Sequence, residues 1–176
     1  MINIRFHGRG GQGIVTSAEL IAVAASLDGK YAQAIPSFGP ERSMAPVMSF
    51  CRIDDKPITV YQQIYHPDIV VILDNTLFGS IDVLKGLKKG GHVIINSKPV
   101  EFKYAEGKVH FVDAYPIAMR VIGKPFVNTV ILGALSRITN VISMGSLKNA
   151  IKQRFGGEAG EKNATAAEEC YESCSI

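Results

Sequence analysis

The chain has 176 residues, of which 47% are hydrophobic, and this length and composition suit one domain with one core. Its formal net charge is +3, from 19 basic and 16 acidic residues with no long run of one sign, which excludes an extended basic surface for nucleic acid. No stretch approaches the roughly 18 consecutive apolar residues of a membrane span, and residues 1–6 lack the features of a signal peptide. We therefore expect a cytoplasmic protein with neither nucleic acid nor membrane as a partner.

From the N-terminus, residues 2–6 alternate apolar and polar side chains, as in a strand, and a glycine-dense turn follows. Apolar residues then recur with helical spacing over residues 14–27, and Asp28-Gly29 is a suitable helix end. Further along, buried-type strands alternate with amphipathic segments. The predicted strands are residues 2–6, 31–35, 47–53, 69–73, 92–96 and 109–112, and the predicted helices are residues 14–27, 81–87, 114–122, 128–139, 147–155 and, near the end, 164–174.

This alternation predicts an α/β fold, a three-layer sandwich with a mainly parallel, Rossmann-like sheet. We expect residues 1–176 to form a single domain. From Gly156 the sequence turns small and polar, so residues 156–176 are predicted to form a C-terminal extension that begins as a linker. In such sheets ligands bind beyond the carboxyl ends of the strands, where the glycine turn, Asp74 and Asn96 all fall.

The glycine turn matches the pattern G-x-G-x-x-G in the required context, after a strand and before a helix. Glycines let the backbone approach an anion closely, and the helix that follows directs free N–H groups and the positive end of its dipole at that anion. A charge from Arg9 and a hydroxyl from Thr16 would add to the site. The candidate residues of this loop are Gly8, Arg9, Gly10, Gly11, Gln12, Gly13 and Thr16.

Three interpretations of the loop remain open. A dinucleotide is disfavoured, because the second strand ends at Ile35-Pro36-Ser37 without the acidic residue that would hold a ribose. No Lys-Ser or Lys-Thr follows the last glycine, so the loop is not a Walker motif. A tight turn without a ligand is possible, and so is a site for a phosphate-bearing ligand or for the cofactor of a partner chain.

A second unusual segment, residues 37–46, is a proline-punctuated loop that contains Glu41 and Arg42. Arg42 is a candidate for a bidentate contact with a phosphate or carboxylate. A surface ion pair with Glu41, worth about 0–1 kcal/mol, is the equally weighted alternative.

The three cysteines, Cys51, Cys170 and Cys174, are too few for a disulfide framework or for a four-cysteine iron–sulfur cluster. Cys170 and Cys174 would share one face of a helix, but no histidine or further cysteine lies nearby to complete a zinc site. We therefore expect no metal in this chain.

Six segments together resemble the gamma subunit of pyruvate:ferredoxin oxidoreductase, and the resemblance spans roughly residues 1–155. These segments are residues 8–13, 30–34, 38–42, 45–47, 65–74 and 128–134. The resemblance implies an α/β sandwich within a multi-subunit complex that converts a 2-oxoacid and coenzyme A (CoA) to acyl-CoA and CO2. The electrons pass to ferredoxin. Such a chain is not expected to be active alone.

The resemblance also implies a division of labour among alpha, beta, gamma and delta subunits. Thiamine diphosphate belongs to the alpha and beta subunits and iron–sulfur clusters to the delta and beta subunits, which leaves none in this chain. The gamma subunit is expected to help form the site for CoA, a co-substrate of the complex. The glycine loop and Arg42 are the residues that would do so.

The motifs resemble the pyruvate branch more than the 2-oxoglutarate branch. Members that act on branched-chain 2-oxoacids share these motifs, and the related indolepyruvate branch is a further alternative. A stand-alone nucleotide-binding oxidoreductase is the alternative of a different class. The scattered histidines (His7, His66, His92 and His110) and the lack of a nucleophile motif disfavour it. Among the histidines, His7 deserves a test because it adjoins the glycine loop.

Overall fold

A computed structural model describes residues 1–36, 44–101 and 107–174. The described chain contains six strands and five α-helices: α1 lies between β1 and β2, no α-helix separates the strands from β2 to β6, and the other four α-helices follow β6. A 3-10 helix, Asn75–Gly79, follows the fourth strand, and a π-helical turn, Ala118–Ile122, continues the second α-helix. The bounds are β1 Ile2–Arg9, α1 Ile14–Leu27, β2 Tyr31–Pro36, β3 Pro46–Asp54, β4 Ile69–Ile72, β5 His92–Asn96, β6 Lys108–Val112, α2 Ala114–Ile117, α3 Val127–Thr139, α4 Met144–Phe155 and α5 Gly157–Ser173.

The strands form one sheet in the order β2-β3-β1-β4-β5-β6. The neighbouring pairs β1-β4, β4-β5 and β5-β6 are parallel. Strand β3 runs antiparallel to both of its neighbours, β1 and β2. The prediction of an α/β fold with a mainly parallel sheet is confirmed. All the parallel strands end at one edge, so the loops after β1 and β4 lie side by side.

One face of the sheet carries the larger core, because alternate strand residues such as Ile4, Phe6 and Val71 point toward the helices. Helix α3 is buried from Val127 to Ser136, as its apolar sequence predicted. Helix α5 packs against α3 so closely that a Cβ added at Gly133 would lie 1.8 Å from the Ala167 carbonyl oxygen.

The other face is covered by thinner, irregular structure over a smaller core that includes Val70, Ile72 and Leu77. The helix predicted at residues 81–87 is wrong, since this segment forms turns instead. The buried Arg5 side chain reaches from β1 and donates to the carbonyls of Val83, at 3.0 Å, and Lys85, at 2.7 Å. Those two contacts hold the segment in a path that a helix cannot follow.

The linker predicted after Gly156 is also wrong, because α5 is helical from Gly157 onward. Its glycines serve packing: a Cβ at Gly160 would lie 3.2 Å from the Lys152 Cα of α4. The small buried residues Ala164, Ala167 and Cys170 continue this face against the core. None of the helices in the described ranges is both long and apolar enough to cross a membrane.

Candidate anion-binding cleft

The loop between β1 and α1 requires glycine at both of its ends. Gly13 precedes α1 in the left-handed region, with φ 73°, and a Cβ there would lie 2.5 Å from Nδ2 of Asn128. A Cβ on Gly8 would lie 2.2 Å from Cδ1 of Ile14. These contacts bring the loop against the first helical turn and against the start of α3.

The Arg9 side chain does not project freely, because it ties the loop to the end of β4. Its Nε donates to Oδ2 of Asp74 at 3.1 Å, and its two terminal nitrogens donate to the Met44 carbonyl and to Oγ1 of Thr76, at 3.1 and 2.8 Å. Gln12 adds a bond from Nε2 to the same Asp74 oxygen at 3.2 Å. Arg9 therefore holds three chain segments together.

Asp74 is the shared acceptor of this network and stays ionised. Its burial acts to raise the pKa, but hydrogen bonds from Thr76 and Gln12 and the charge of Arg9 outweigh that effect, so the pKa is lowered. The neighbouring Asn96 is structural as well. Its Nδ2 donates to the Leu73 carbonyl at 3.0 Å, and its Oδ1 accepts from the Ala114 N–H at 3.1 Å.

The loop offers some of its backbone N–H groups and uses the others internally. The N–H of Gly10 donates to the Ala45 carbonyl at 2.9 Å, and that of Gln12 donates to the Arg9 carbonyl at 3.0 Å. Among the described residues, the N–H groups of Gly11 and Gly13 find no such acceptor. These two, together with the first turn of α1, are the donors available to a ligand.

A cleft of about 930 Å³ opens beside the loop, a volume within the range of small-molecule sites. Three helices begin at its walls, α1 after Gly13, α3 after Phe126 and α5 after Gly156, and no side chain caps any of these N-termini in the described structure. Each uncapped N-terminus carries free N–H groups and a partial positive charge. Such N-termini are places where anions bind in other proteins.

The far wall of the cleft adds two cations and two aromatic rings. Lys124 and Phe126 precede α3, and Phe155 and Lys162 come from α4 and α5. Phe126 is 50% and Phe155 40% exposed, although both are large and apolar. Lys162 pairs with Glu158 at 2.6 Å, so part of its charge is already compensated. This combination fits a ligand that has both phosphates and a planar or apolar group.

The structure brings only part of the predicted site together. Gly10, Gly11, Gln12, Gly13 and Thr16 line the cleft, whereas Gly8 and Arg9 do not. Arg42 and Glu41 fall outside the described residues. Sequence reasoning missed the far wall altogether. The sequence does carry a signal for this wall. The segment before α3, Lys124-Pro125-Phe126, lacks the Ser, Thr, Asp or Asn that usually caps a helix N-terminus.

His7 is adjacent to the loop in sequence but belongs to the opposite face of the sheet. It is only 2% exposed, and burial, followed by the nearby charge of Arg5, lowers its pKa to about 3. Neither ring nitrogen makes a well-formed hydrogen bond to the described residues, although the Val83 carbonyl slightly favours the protonated ring. His7 is therefore a neutral core residue near neutral pH and does not face the cleft.

The described residues contain no group of three or more His, Cys, Asp or Glu side chains placed to hold a metal ion. The fold and the cleft thus define an α/β domain with an open cleft at the carboxyl edge of its sheet, where ligands bind in folds of this kind. Comparison with known proteins makes the assignment more specific.

The family model for pyruvate ferredoxin/flavodoxin oxidoreductase matches residues 3–173. The chain is 54% identical to pyruvate synthase subunit PorC of Methanothermobacter thermautotrophicus, over 98% of this chain and 95% of that protein. It is 51% identical to the pyruvate/ketoisovalerate oxidoreductases common subunit gamma of Thermococcus litoralis, over 98% and 96% of the two chains. The crystal structure of pyruvate oxidoreductase subunit PORC from Thermotoga maritima superimposes with a TM-score of 0.85 at 36% identity, covering 97% and 95% of the two chains.

The chain belongs to the pyruvate ferredoxin/flavodoxin oxidoreductase family, within which it is a gamma subunit of a 2-oxoacid:ferredoxin oxidoreductase. The resemblance noted in the sequence is thereby confirmed. The family match extends through residue 173 and so includes α5, whereas the sequence motifs supported it only to about residue 155.

Proposed function

We propose that this gamma subunit helps to bind CoA, and that the cleft beside the glycine loop receives the phosphate-bearing part of that co-substrate. The convergence of three uncapped helix N-termini on one cleft is the observation that carries the proposal. CoA carries a diphosphate and a ribose phosphate, and it therefore needs N–H donors and cations. Its adenine offers a planar face to an exposed aromatic ring.

The roles follow from the geometry of the cleft. The N–H groups of Gly11 and Gly13 and the hydroxyl of Thr16 would contact phosphate oxygens from one side. Lys124 and Lys162 would supply charge from the other side. Arg9 acts as a positioning residue, because its donors already reach Asp74, Thr76 and Met44. Arg42 remains a proposed phosphate contact.

Replacing either cleft lysine, as Lys124→Met or Lys162→Met, is expected to raise the KM for CoA in the assembled complex about tenfold, since each removes one charge-assisted hydrogen bond worth roughly 1.5 kcal/mol. The KM for the 2-oxoacid should stay unchanged. Steady-state kinetics with CoA and the 2-oxoacid varied separately measure both constants.

Lys148→Met is the matched control, because Lys148 lies on α4, binds Glu168 of α5 at 2.7 Å and does not line the cleft. Normal CoA dependence in both cleft variants, with the complex intact, would contradict the proposed site. An equal rise of the KM for CoA in the Lys148→Met control would show that the effect comes from the overall charge.

The remaining assignments extend the same proposal. The partners are the alpha, beta and delta subunits, with thiamine diphosphate and iron–sulfur clusters on those chains and ferredoxin as the acceptor. The complex acts in the cytoplasm. Pyruvate is the favoured 2-oxoacid, since the M. thermautotrophicus relative is named as a pyruvate synthase subunit. A gamma subunit shared with a branched-chain enzyme is the second candidate, as in the T. litoralis relative's name.

The purified chain alone is expected to show no turnover of pyruvate, CoA and ferredoxin, because it offers no nucleophile motif and the redox cofactors are assigned to partner chains. The assay adds the alpha, beta and delta subunits to the same preparation. Activity should appear only after that addition, and turnover without it would refute the assignment.

A further inference from the structure

One exposed segment, residues 57–67, crosses the face of the sheet that carries the smaller core, and it forms neither a helix nor a strand. From Pro57 to Tyr65 it contains no charged residue, although 20% of the whole chain is charged. Tyr61 is 80% and Tyr65 is 64% exposed. Exposed aromatic rings on an uncharged stretch are typical of the centre of a protein–protein interface, where charged residues are depleted and tyrosine is enriched.

A buried arginine of β3 holds this segment in one path. Because its neighbours Cys51 and Ile53 face the larger core, Arg52 points to the opposite face of the sheet. Its guanidinium donates to three backbone carbonyls of the segment, those of Val60, Gln62 and Gln63. Between the two tyrosines, Ile64 is only 4% exposed and anchors the segment. A backbone held in this way loses little conformational freedom when a partner binds, so the tyrosines are preorganised for contact.

A basic turn borders the two tyrosines. The Tyr65 carbonyl oxygen packs against Gly86 so closely that a Cβ added there would lie 2.1 Å from it. On either side of Gly86 the exposed side chains are Lys85, Lys88 and Lys89. Lys88 already has a carboxylate partner at 2.7 Å, whereas Lys85 and Lys89 form no ion pair within the ranges that the structure describes. The surface therefore has an uncharged aromatic centre and a positive border, which an apolar patch with an acidic border would complement.

We propose that this tyrosine surface, formed by residues 57–65 with Lys85 and Lys89 at its border, is where another subunit of the oxidoreductase complex docks. The chain is a subunit of a multi-subunit enzyme, so part of its surface is covered in the assembled complex. The docking subunit presents an apolar patch to the two rings, hydrogen-bond acceptors to the tyrosine hydroxyls and acidic side chains to the lysines. None of these residues lines the cleft beside the glycine loop, so the inference does not depend on the proposed CoA site.

The first experiment uses the intact wild-type complex, oxidised with hydroxyl radicals and mapped by mass spectrometry, with the denatured complex as the reference. Tyr61 and Tyr65 should lose their oxidation in the intact complex, because the docked subunit excludes the radical from both rings. Oxidation of both tyrosines as fast as in the denatured complex would overturn the proposal. Protection of both in the gamma chain purified alone would assign the surface to a second copy of this chain and would also overturn it.

The second experiment measures how much gamma subunit stays bound to a tagged partner subunit when the complex is diluted. Tyr61→Ser and Tyr65→Ser should each raise the dissociation constant of the gamma subunit at least about tenfold, as is usual for an aromatic residue at an interface centre. Lys85→Glu and Lys89→Glu should weaken binding mainly at low salt, because salt screens exposed charges. Tyr115→Ser is the matched control, since Tyr115 is 53% exposed but lies on α2. Wild-type retention in both tyrosine variants, or an equal loss in the control, would contradict the proposed surface.

Discussion

Replacing Gly133 with alanine is expected to destabilise the protein by about 3 kcal/mol, near the upper end of what overpacking usually costs. The added methyl group would lie 1.8 Å from the Ala167 carbonyl oxygen and 3.1 Å from the Tyr171 backbone nitrogen. Both atoms belong to the backbone of α5, so no side-chain rotation relieves the clash. The helices must separate, and the buried bond from Thr129 Oγ1 to Asn163 Oδ1, at 2.7 Å, would lengthen with them.

Gly145→Ala is the matched control, because Gly145 also lies in a helix but has no atom within 4 Å of an added Cβ. Because alanine has a higher helix propensity than glycine, this substitution should leave the free energy of unfolding unchanged or raise it by up to about 1 kcal/mol. Urea unfolding of both variants, followed by circular dichroism, measures the free energies. Equal free energies of unfolding for the two variants would show that α3 and α5 do not approach each other this closely.

Acidification from pH 7.5 to pH 5 is expected to cost about 2 kcal/mol of unfolding free energy through His7 alone, since its pKa falls from 6.5 in the unfolded chain to about 3 in the folded one. The unfolded chain binds this proton first as the pH falls, so the stabilising effect is complete above pH 6.5 and is lost on acidification. His92 and His110, whose pKa values burial also lowers, contribute in the same direction.

Asp28 and Asp74 also have lowered pKa values, but their contributions are lost only below the carboxylate range near 3.8, outside this interval. His7→Leu should therefore flatten the stability profile between pH 7.5 and pH 5 more than any other single histidine substitution. His110→Gln is the control, since His110 is only partly buried. Urea midpoints measured across this pH range provide the test, and a variant profile as steep as that of the wild type would contradict it.

The local pattern of apolar and polar residues predicted most elements of this fold. For α1 and β5 the predicted first and last residues are the observed ones. The helix predicted at residues 81–87 failed because a distant side chain, Arg5, captures the Val83 and Lys85 carbonyls. Periodicity within a segment carries no information about such a partner. The reversed direction of β3 was equally inaccessible, since a strand's apolar content is the same in either direction.

Composition misled the prediction at the C-terminus. The glycines and alanines after Gly156 suggested a linker, yet Gly160 and Ala167 are small because α4 and α3 approach α5 there. A small residue selected for close packing cannot be told from one selected for flexibility in a single sequence. The same limit explains why the sequence predicted only one wall of the cleft. The glycine loop is contiguous, whereas Lys124 and Lys162 reach it only through the packing of α3 and α5.

The order of segments around the cleft also governs when it comes into existence during synthesis. The N–H of Gly10 donates to the Ala45 carbonyl and Arg9 donates to Asp74, so this set of contacts is complete only after residue 74 has left the ribosome. The opposite wall waits for α5, near the end of the chain. A nascent chain therefore lacks one wall of the cleft until translation is nearly complete.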